Sequence, residues 1–262
     1  MLGLALLVLD TEYPNTASFP LGSAVILCRS MKLYLKPEES PSFVEGARLF
    51  WITYIVDRDL ALLTKQPCLL HDDDIEIGIS DTLHSDGLGF VGGLPTFHIF
   101  KHHIKLAEIQ GFAYDLISPL RGRRMSALVR QKKVEELDGR LRDFYVGLPQ
   151  TFRATNAPTL EPTLRRHCIE LHATYFHILF ASRGASLHNK VWMQRLRDYY
   201  VKNGGIVDPR DEPTEISDAD RSTPLLLCNW TMLVQSARFC LPLFNLVSSS
   251  DTALICYKPY YL

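Results

Sequence analysis

A long amphipathic segment between Ser40 and Pro67 constrains the fold of this chain more than any other feature. Ser40-Pro41 is a helix-start signal, because serine accepts hydrogen bonds from the first turn and proline loses no bond there. Pro67 ends the helix, since proline cannot continue the backbone hydrogen-bond ladder. We therefore predict a helix of about six turns with one side facing a core. The apolar residues that recur at three-to-four-residue steps are Phe43, Ala47, Phe50, Trp51, Tyr54, Ile55 and Leu62.

The rest of the chain repeats the helical pattern. The only alternation typical of a strand lies around Asp74 to Ile79, which is too short to build a sheet. Thr96 is placed to cap a helix that begins at about residue 97. We therefore predict an all-α fold of about seven to nine helices with long connecting loops. The further predicted helices cover 18–35, 97–118, 126–146, 162–183, a weaker segment at 186–202, and an apolar segment at 224–247.

Chain length and composition predict one large helical domain over residues 1–262, or two that share a core. The chain has 262 residues, of which 47% are hydrophobic, so it can bury a sizeable core. Residues 78–95 hold five glycines and form the longest predicted loop, which is a natural sub-boundary. Residues 203–220 begin with Asn203-Gly204-Gly205 and continue as an acidic, proline-containing stretch, which predicts a flexible linker.

The net charge and the spacing of the cysteines argue against nucleic acid and zinc as binding partners of this chain. The net charge is −1, so the whole chain lacks the basic character of a protein that holds nucleic-acid phosphates. The six cysteines occur singly and no C-x-x-C pair is present, which indicates reduced thiols instead of a zinc site or a disulfide framework. The apolar run at residues 1–10 is too short to span a bilayer, and the one at 224–247 is interrupted by polar residues. We expect no membrane partner.

Histidines and acidic residues give no complete metal motif in the sequence. His98 and His102 would lie one turn apart on a helix, but no third ligand follows them at a metal-binding spacing. Histidines at 167, 172 and 177 recur at five-residue steps, which spreads them around a helix. The run His71 to Asp74 lacks the glycine and glutamate of a calcium-binding loop and predicts a solvated turn. We therefore expect no metal site in this chain.

One stretch resembles a known family. Between Arg48 and Ile77 the chain places an Arg, a Phe-Trp pair, a Tyr, an Asp-Arg pair, a Pro nine residues on, and an acidic run with alternating isoleucines. This order resembles the fungal-specific transcription factor domain, the middle homology region that follows the DNA-binding module in fungal binuclear zinc-cluster regulators. The resemblance covers roughly Leu4 to Val247. It departs from the family pattern at Lys65-Gln66, where glycine and arginine are usual, and at Ile79-Ser80, where Leu-Pro is usual.

The resemblance implies an all-helical regulatory module that works in the nucleus, responds to metabolites and mediates autoinhibition. The family's zinc cluster is absent from this chain, so we expect no cofactor in it and DNA contact only through a module not present here. The implied partners are a small-molecule effector and either the transcriptional machinery or a second copy of the chain. The first hypothesis is therefore the effector-sensing domain of a zinc-cluster transcription factor controlling RNA polymerase II transcription.

A second hypothesis is a stand-alone protein of the same fold that binds or transforms a small molecule such as a secondary metabolite, in which case it would be cytoplasmic. No G-x-S-x-G elbow and no phosphate-binding loop is present, so the catalytic residues are unknown and a non-enzymatic role is favoured. If the chain were an enzyme, His103 or Asp57 would supply acid–base chemistry. The charges of Asp57 and Arg58 have two interpretations, a structural role and a ligand role. In the ligand role, replacing Arg58 with alanine should lower ligand affinity without unfolding the protein, whereas an equal loss of folding would mean that these charges are structural. The residues expected to line a ligand pocket are Trp51, Tyr54, Asp57, Arg58 and His103.

Overall fold

Helices dominate the structure, a computed structural model that describes residues 1–9, 14–35, 43–79, 88–91, 94–118, 121, 124–184, 237–238 and 240–246. The predicted all-α fold is confirmed. No helix within these residues is long and apolar enough to cross a membrane. The α-helices are α1 (Leu2–Leu9), α2 (Ser18–Ser30), α3 (Phe43–Thr64), α4 (Ile99–Ile117), α5 (Ala127–Gly147) and α6 (Pro162–Gly184). Short 3₁₀ turns occur at Pro14–Ala17, Asp72–Asp74, Gln150–Phe152 and Ala154–Thr159.

The end of α3 and the start of α5 lie where the sequence signals place them, whereas α2 ends at Ser30, before its predicted end at Leu35. Helix α3 stops at Thr64, three residues before Pro67, and Lys65 turns the chain away with a left-handed φ of 58°. Ser126 is the N-cap of α5, and its side chain accepts a hydrogen bond from the Val129 N–H at 3.3 Å. Both observations follow from local chemistry, because proline and serine act on the turn next to them.

A small β-hairpin replaces part of the predicted long loop. Strands β1 (Leu88–Val91) and β2 (Leu94–His98) pair antiparallel, with an irregularity between Gly89 and Phe90. The prediction that Thr96 caps a helix was wrong, because Thr96 lies in β2 and α4 begins at Ile99. The sequence holds the hairpin signal in two runs with aromatic and β-branched residues, separated by Gly92-Gly93. As a result His98 belongs to a strand, and its predicted helical pairing with His102 does not form.

Two apolar clusters form most of the described core, and α4 contributes to both. The larger cluster joins α4, α5, α6 and the 3₁₀ turns before α6, and includes Leu106, Leu141 and Leu171. The second joins α2, α3, the segment after α3 and α4, and includes Phe50 and Ile104. Residues on both sides of the 78–95 sub-boundary therefore share a core. The predicted linker at 203–220 and the helix at 186–202 lie outside the described residues.

The described part of the C-terminal apolar segment packs on α6. Residues 240–244 are helical, and Cys240 and Phe244 contact Ala173 and Phe176 of α6. Leu243 joins the larger core cluster. This part of the segment therefore buries Cys240, Leu243 and Phe244 against protein, while Leu241 is exposed. The predicted helix over 224–247 is otherwise outside the described residues.

Candidate functional site

Asp57 fixes the segment that follows α3 against the helix. Its carboxylate accepts a shared hydrogen bond from the Leu69 N–H, at 2.9 and 3.1 Å, and one from the Leu70 N–H at 3.0 Å. The side chain is only 2% exposed. Burial raises the pKa of Asp57, and the backbone N–H groups of Leu69 and Leu70 oppose that rise. The Asp57 carboxylate therefore takes the place of water as the hydrogen-bond acceptor of two backbone N–H groups that follow Pro67 in the chain.

Arg58 makes the second set of contacts to the same segment. Its Nη1 donates to the Leu70 carbonyl at 3.0 Å, and its Nη2 donates to Asp72 Oδ1 at 2.6 Å. The Tyr54 hydroxyl donates to the same Asp72 oxygen at 2.7 Å, and the guanidinium lies 4.4 Å from the centre of the Tyr54 ring. Burial raises the pKa of the Tyr54 hydroxyl, which keeps it a neutral donor. The first carboxylate of the predicted acidic turn thus has two buried partners on α3.

Gly111 of α4 makes room for the Arg58 side chain between the two helices. A Cβ atom at position 111 would lie 2.9 Å from Arg58 Nε, closer than real Cβ contacts allow. The guanidinium beyond Nε is held by Leu70 and Asp72, so it cannot easily move away. Helix α4 can therefore approach α3 here only because residue 111 has no side chain.

A cleft of about 580 Å³ opens beside these contacts, between α3, the segment at 65–79, α4 and α5. This volume lies within the range typical of small-molecule sites. The walls combine aromatic rings, three isoleucines and charged groups of both signs. Its aromatic and apolar lining includes Trp51, Tyr54, Phe112, Tyr114, Ile75, Ile77 and Ile79, and its charged lining includes Arg58, Asp72, Glu108, Asp115, Arg121 and Arg140.

Two hydrogen-bond donors of cleft-lining residues are buried without a partner among the described residues. They are the indole Nε1 of Trp51 and the Nε of Arg58. A buried donor with no acceptor is unfavourable by roughly 1–3 kcal/mol, so such groups are uncommon in folded proteins. The Arg58 Nε atom lies against Gly111 of α4. Arg140 adds a charged wall, with its guanidinium 4.4 Å from the centre of the Phe112 ring.

The structure brings together three of the five predicted site residues. Trp51, Tyr54 and Arg58 line the cleft. Asp57 does not, because its carboxylate is turned to the backbone of the segment at 65–79. His103 does not either, because it contacts α6, where its Nε2 lies 4.0 Å from a carboxylate oxygen of Glu170.

Sequence reasoning missed the part of the cleft that α4 and α5 supply. Glu108, Gly111, Phe112 and Asp115 recur at three-to-four-residue steps along α4, and this periodicity is the signal that could have placed them on one face. Arg140 on α5 carries no such signal. Which helix faces which is a property of the tertiary structure.

A partly buried carboxylate on α3 lies outside the cleft, beside α4. Asp59 accepts a hydrogen bond from Gln110 Nε2 at 2.6 Å. Burial raises the pKa of Asp59 to about 6; the Gln110 bond opposes the rise and the carboxylate of Glu170 adds to it. The unfolded-state pKa is about 4, so the folded state binds more protons between about pH 4 and pH 6. Ionised Asp59 therefore destabilises the fold at pH 7, and that effect fades as pH falls from about 6 towards 4.

Replacing Asp59 with asparagine should raise the free energy of unfolding at pH 7 by about 1–2 kcal/mol. The neutral amide removes the buried charge and keeps an oxygen that accepts from Gln110. Urea denaturation at pH 7 and at pH 4.5 measures the difference, which should shrink at the lower pH. Asp143→Asn, at an exposed carboxylate on α5, is the matched control and should change little. Equal effects of both variants at pH 7 would contradict the assignment.

Comparison with known proteins finds fungal transcriptional regulators. Over its whole length the chain is 24% identical to the ABC-transporter-regulating transcription factor of Aspergillus fumigatus, and 24% identical to that of Aspergillus oryzae. It spans 29% of the length of each. An uncharacterized transcriptional regulatory protein of Schizosaccharomyces pombe is 26% identical over 147 residues, which are 55% of this chain and 19% of that protein. No protein-family model matches the chain, and no solved structure matches it significantly.

Proposed function

We propose that this chain is the effector-sensing regulatory domain of a fungal transcription regulator, of the middle-homology-region type. The observation that carries the proposal is similarity over the whole length of the chain to two Aspergillus transcription factors. The residue pattern from Arg48 to Ile77 supports the same domain type. In this proposal the protein acts in the nucleus, and a module outside the chain supplies the contact with DNA.

The effector site in this proposal is the cleft beside Arg58. Its lining sets aromatic rings among charged groups of both signs, which suits a polar molecule that carries a planar ring. The guanidinium groups of Arg121 and Arg140 favour acceptor oxygens, such as those of a carbonyl or a carboxylate. The expected ligand is therefore a small polar organic molecule with an aromatic ring and at least one acceptor group. The two Aspergillus relatives are named for regulating ABC transporters, which makes genes of that class the first targets to examine.

Effector binding would act through the segment at 65–79. This segment is attached to α3 by Asp57 and Arg58, and its residues form one wall of the cleft, while α4 and α5 form the other. A ligand that touches both walls favours the conformation in which they are close. It can shift the equilibrium only by the difference between its affinities for the two conformations. A regulatory surface that includes this segment would then respond to ligand.

A reporter assay tests the transcriptional part of the proposal. The chain is placed between a heterologous DNA-binding domain and an activation domain, and reporter transcription is compared with a fusion that carries an unrelated helical domain of similar size. A regulatory domain should change reporter output several-fold. Equal output from the two fusions at equal protein levels would contradict the proposal and would favour the stand-alone small-molecule protein.

The sensing part is tested by a pair of arginine variants on α5. Arg140 lines the cleft, whereas Arg142, two residues further on, is exposed and does not. Arg140→Met should remove a charged group from the cleft wall and raise the ligand concentration that gives half of the maximal reporter response by about tenfold, as expected for the loss of one charge-assisted hydrogen bond. Arg142→Met is the matched control and should respond as the unchanged protein does. Dose–response curves with a panel of aromatic carboxylic acids and ketones provide the measurement, and identical curves for both variants would place the sensing site elsewhere.

A further inference from the structure

A second polar cluster lies between α4 and α6, away from the cleft. It consists of His103 on α4 and of His167 and Glu170 on α6. One possible ligand atom from each of these three side chains lies within 4.8 Å of the other two. His167 and Glu170 are three residues apart on α6, which places them on the same face of that helix. The cleft uses a different face of α4, formed by Glu108, Gly111 and Phe112.

The spacing of the three atoms is close to that of a metal site. Zinc binds nitrogen and carboxylate oxygen at 2.0–2.2 Å, so neighbouring ligand atoms in a tetrahedral site lie about 3.3 Å apart. His167 Nδ1 is already 3.3 Å from a Glu170 oxygen, and His103 Nε2 is 4.0 Å from the same oxygen. The His103 ring therefore has to move closer to Glu170 and His167 before the three atoms reach the separation that zinc requires.

His103 gives an independent reason to expect a bound group. Its Nε2 atom is buried, although the side chain as a whole is 20% exposed, and it has no hydrogen-bond partner among the described residues. At 4.0 Å the Glu170 oxygen is too distant for a hydrogen bond. A neutral imidazole has a lone pair on one of its ring nitrogens, and this lone pair can bind a metal ion.

We propose that His103, His167 and Glu170 bind a divalent cation of the zinc class that joins α4 to α6. Two imidazoles and one carboxylate form a donor set that zinc favours over magnesium or calcium, which select oxygen ligands. Water would complete the coordination. Because α4 also lines the cleft, the metal would stabilise the helix that supports the effector site. The metal proposal does not depend on the effector proposal, since it involves none of the cleft-lining residues.

Titration with metal tests the site directly. The full 262-residue chain is treated with a chelator, freed of it, and titrated with Co²⁺ and then Zn²⁺. We expect one equivalent of Co²⁺ to bind with the visible absorption of a tetrahedral nitrogen–oxygen site, and Zn²⁺ to displace it. A strong near-ultraviolet thiolate-to-cobalt band would instead identify a cysteine site and would overturn the proposal.

Matched variants distinguish metal binding at this cluster from metal binding elsewhere on the chain. His103→Gln and Glu170→Gln should each weaken binding by about 100-fold or more, because even residues that only support metal ligands contribute 10–100-fold. His102→Gln removes the neighbouring imidazole, whose ring lies against Phe144 on α5, and should leave the affinity unchanged. Equal affinity in all three variants, or no binding by the unchanged chain, would overturn the proposal.

Thermal unfolding in chelator shows whether each variant folds. If the variants are folded, their midpoints without metal should lie close to that of the unchanged chain. Saturating Zn²⁺ should then raise the midpoint of the unchanged chain and of His102→Gln by roughly 5 °C. His103→Gln and Glu170→Gln should show no such rise. A rise of the same size in all variants would also overturn the assignment.

Discussion

Replacing Asp57 with alanine is expected to lower the free energy of unfolding by about 3–5 kcal/mol, the range for removal of one member of a buried charged group. The carboxylate is the partner of the Leu69 and Leu70 N–H groups, and it lies 3.4 Å from Arg58 Nη1. Alanine leaves two backbone donors and one guanidinium nitrogen without this acceptor. Each buried donor left unsatisfied costs roughly 1–3 kcal/mol. Chemical denaturation followed by circular dichroism measures the change.

Two further variants are compared with Asp57→Ala: the conservative variant Asp57→Asn and the exposed control Asp143→Ala. Asparagine keeps one acceptor oxygen but places an NH₂ group where the second oxygen meets backbone N–H donors, so its effect should be nearly as large as that of alanine. Asp143 is exposed on α5, and its replacement should change the unfolding free energy by less than about 0.5 kcal/mol. A loss below about 1 kcal/mol for Asp57→Ala would show that water can replace the carboxylate behind Pro67.

Arg58→Met is expected to lower the free energy of unfolding by about 2–4 kcal/mol. The guanidinium is 3% exposed and links α3 to the Leu70 carbonyl and to Asp72. Methionine keeps most of the apolar stem and removes every charged hydrogen bond. The loss should be smaller than for Asp57→Ala, because Asp72 is 59% exposed and can be hydrated when Arg58 is gone. The measurement is again chemical denaturation, with Arg142→Met as the exposed control.

This expectation favours the structural role of Arg58, one of the two alternatives that the sequence left open. Because Arg58 supports the fold and also lines the cleft, a loss of ligand binding in Arg58→Met would not show a ligand contact. Arg140→Met is the better probe of the cleft, since its side chain is 46% exposed. The double variant of Asp57 and Arg58 should lose less stability than the sum of the two single variants, since both residues hold the same segment. Additive losses would mean that the two attachments act independently.

Much of the fold could be predicted from the sequence because helix formation is governed by near neighbours. Pro67 and Lys65 end α3, Ser126 begins α5, and apolar residues at three-to-four-residue steps define the buried faces. The hairpin at 88–98 was missed because glycine-rich segments are conformationally permissive, and the short strands β1 and β2 depend on pairing with each other.

The candidate cleft could also be predicted from the sequence only in part, namely where its residues lie on one helix. Trp51, Tyr54 and Arg58 could be grouped in advance because they lie one turn apart on a single helix, α3. Leu70 and Asp72, which accept hydrogen bonds from Arg58, follow close behind Pro67, so the short connection keeps them near the end of α3.

The sequence by itself determined most of the helices, the end of α3, the start of α5 and the face of α3 that carries the site, because these depend on interactions over a few residues. Helix α1 was not predicted, and the end of α2 and the start of α4 were misplaced. Only the tertiary structure decided that α4 and α5 close the cleft, and that His103 meets His167 and Glu170 of α6 and not the predicted cleft residues. Contacts between distant helices follow from how their apolar faces pack, and many pairings of amphipathic helices satisfy the same periodicity. Packing, which local patterns do not encode, therefore sets which polar groups of different helices come together.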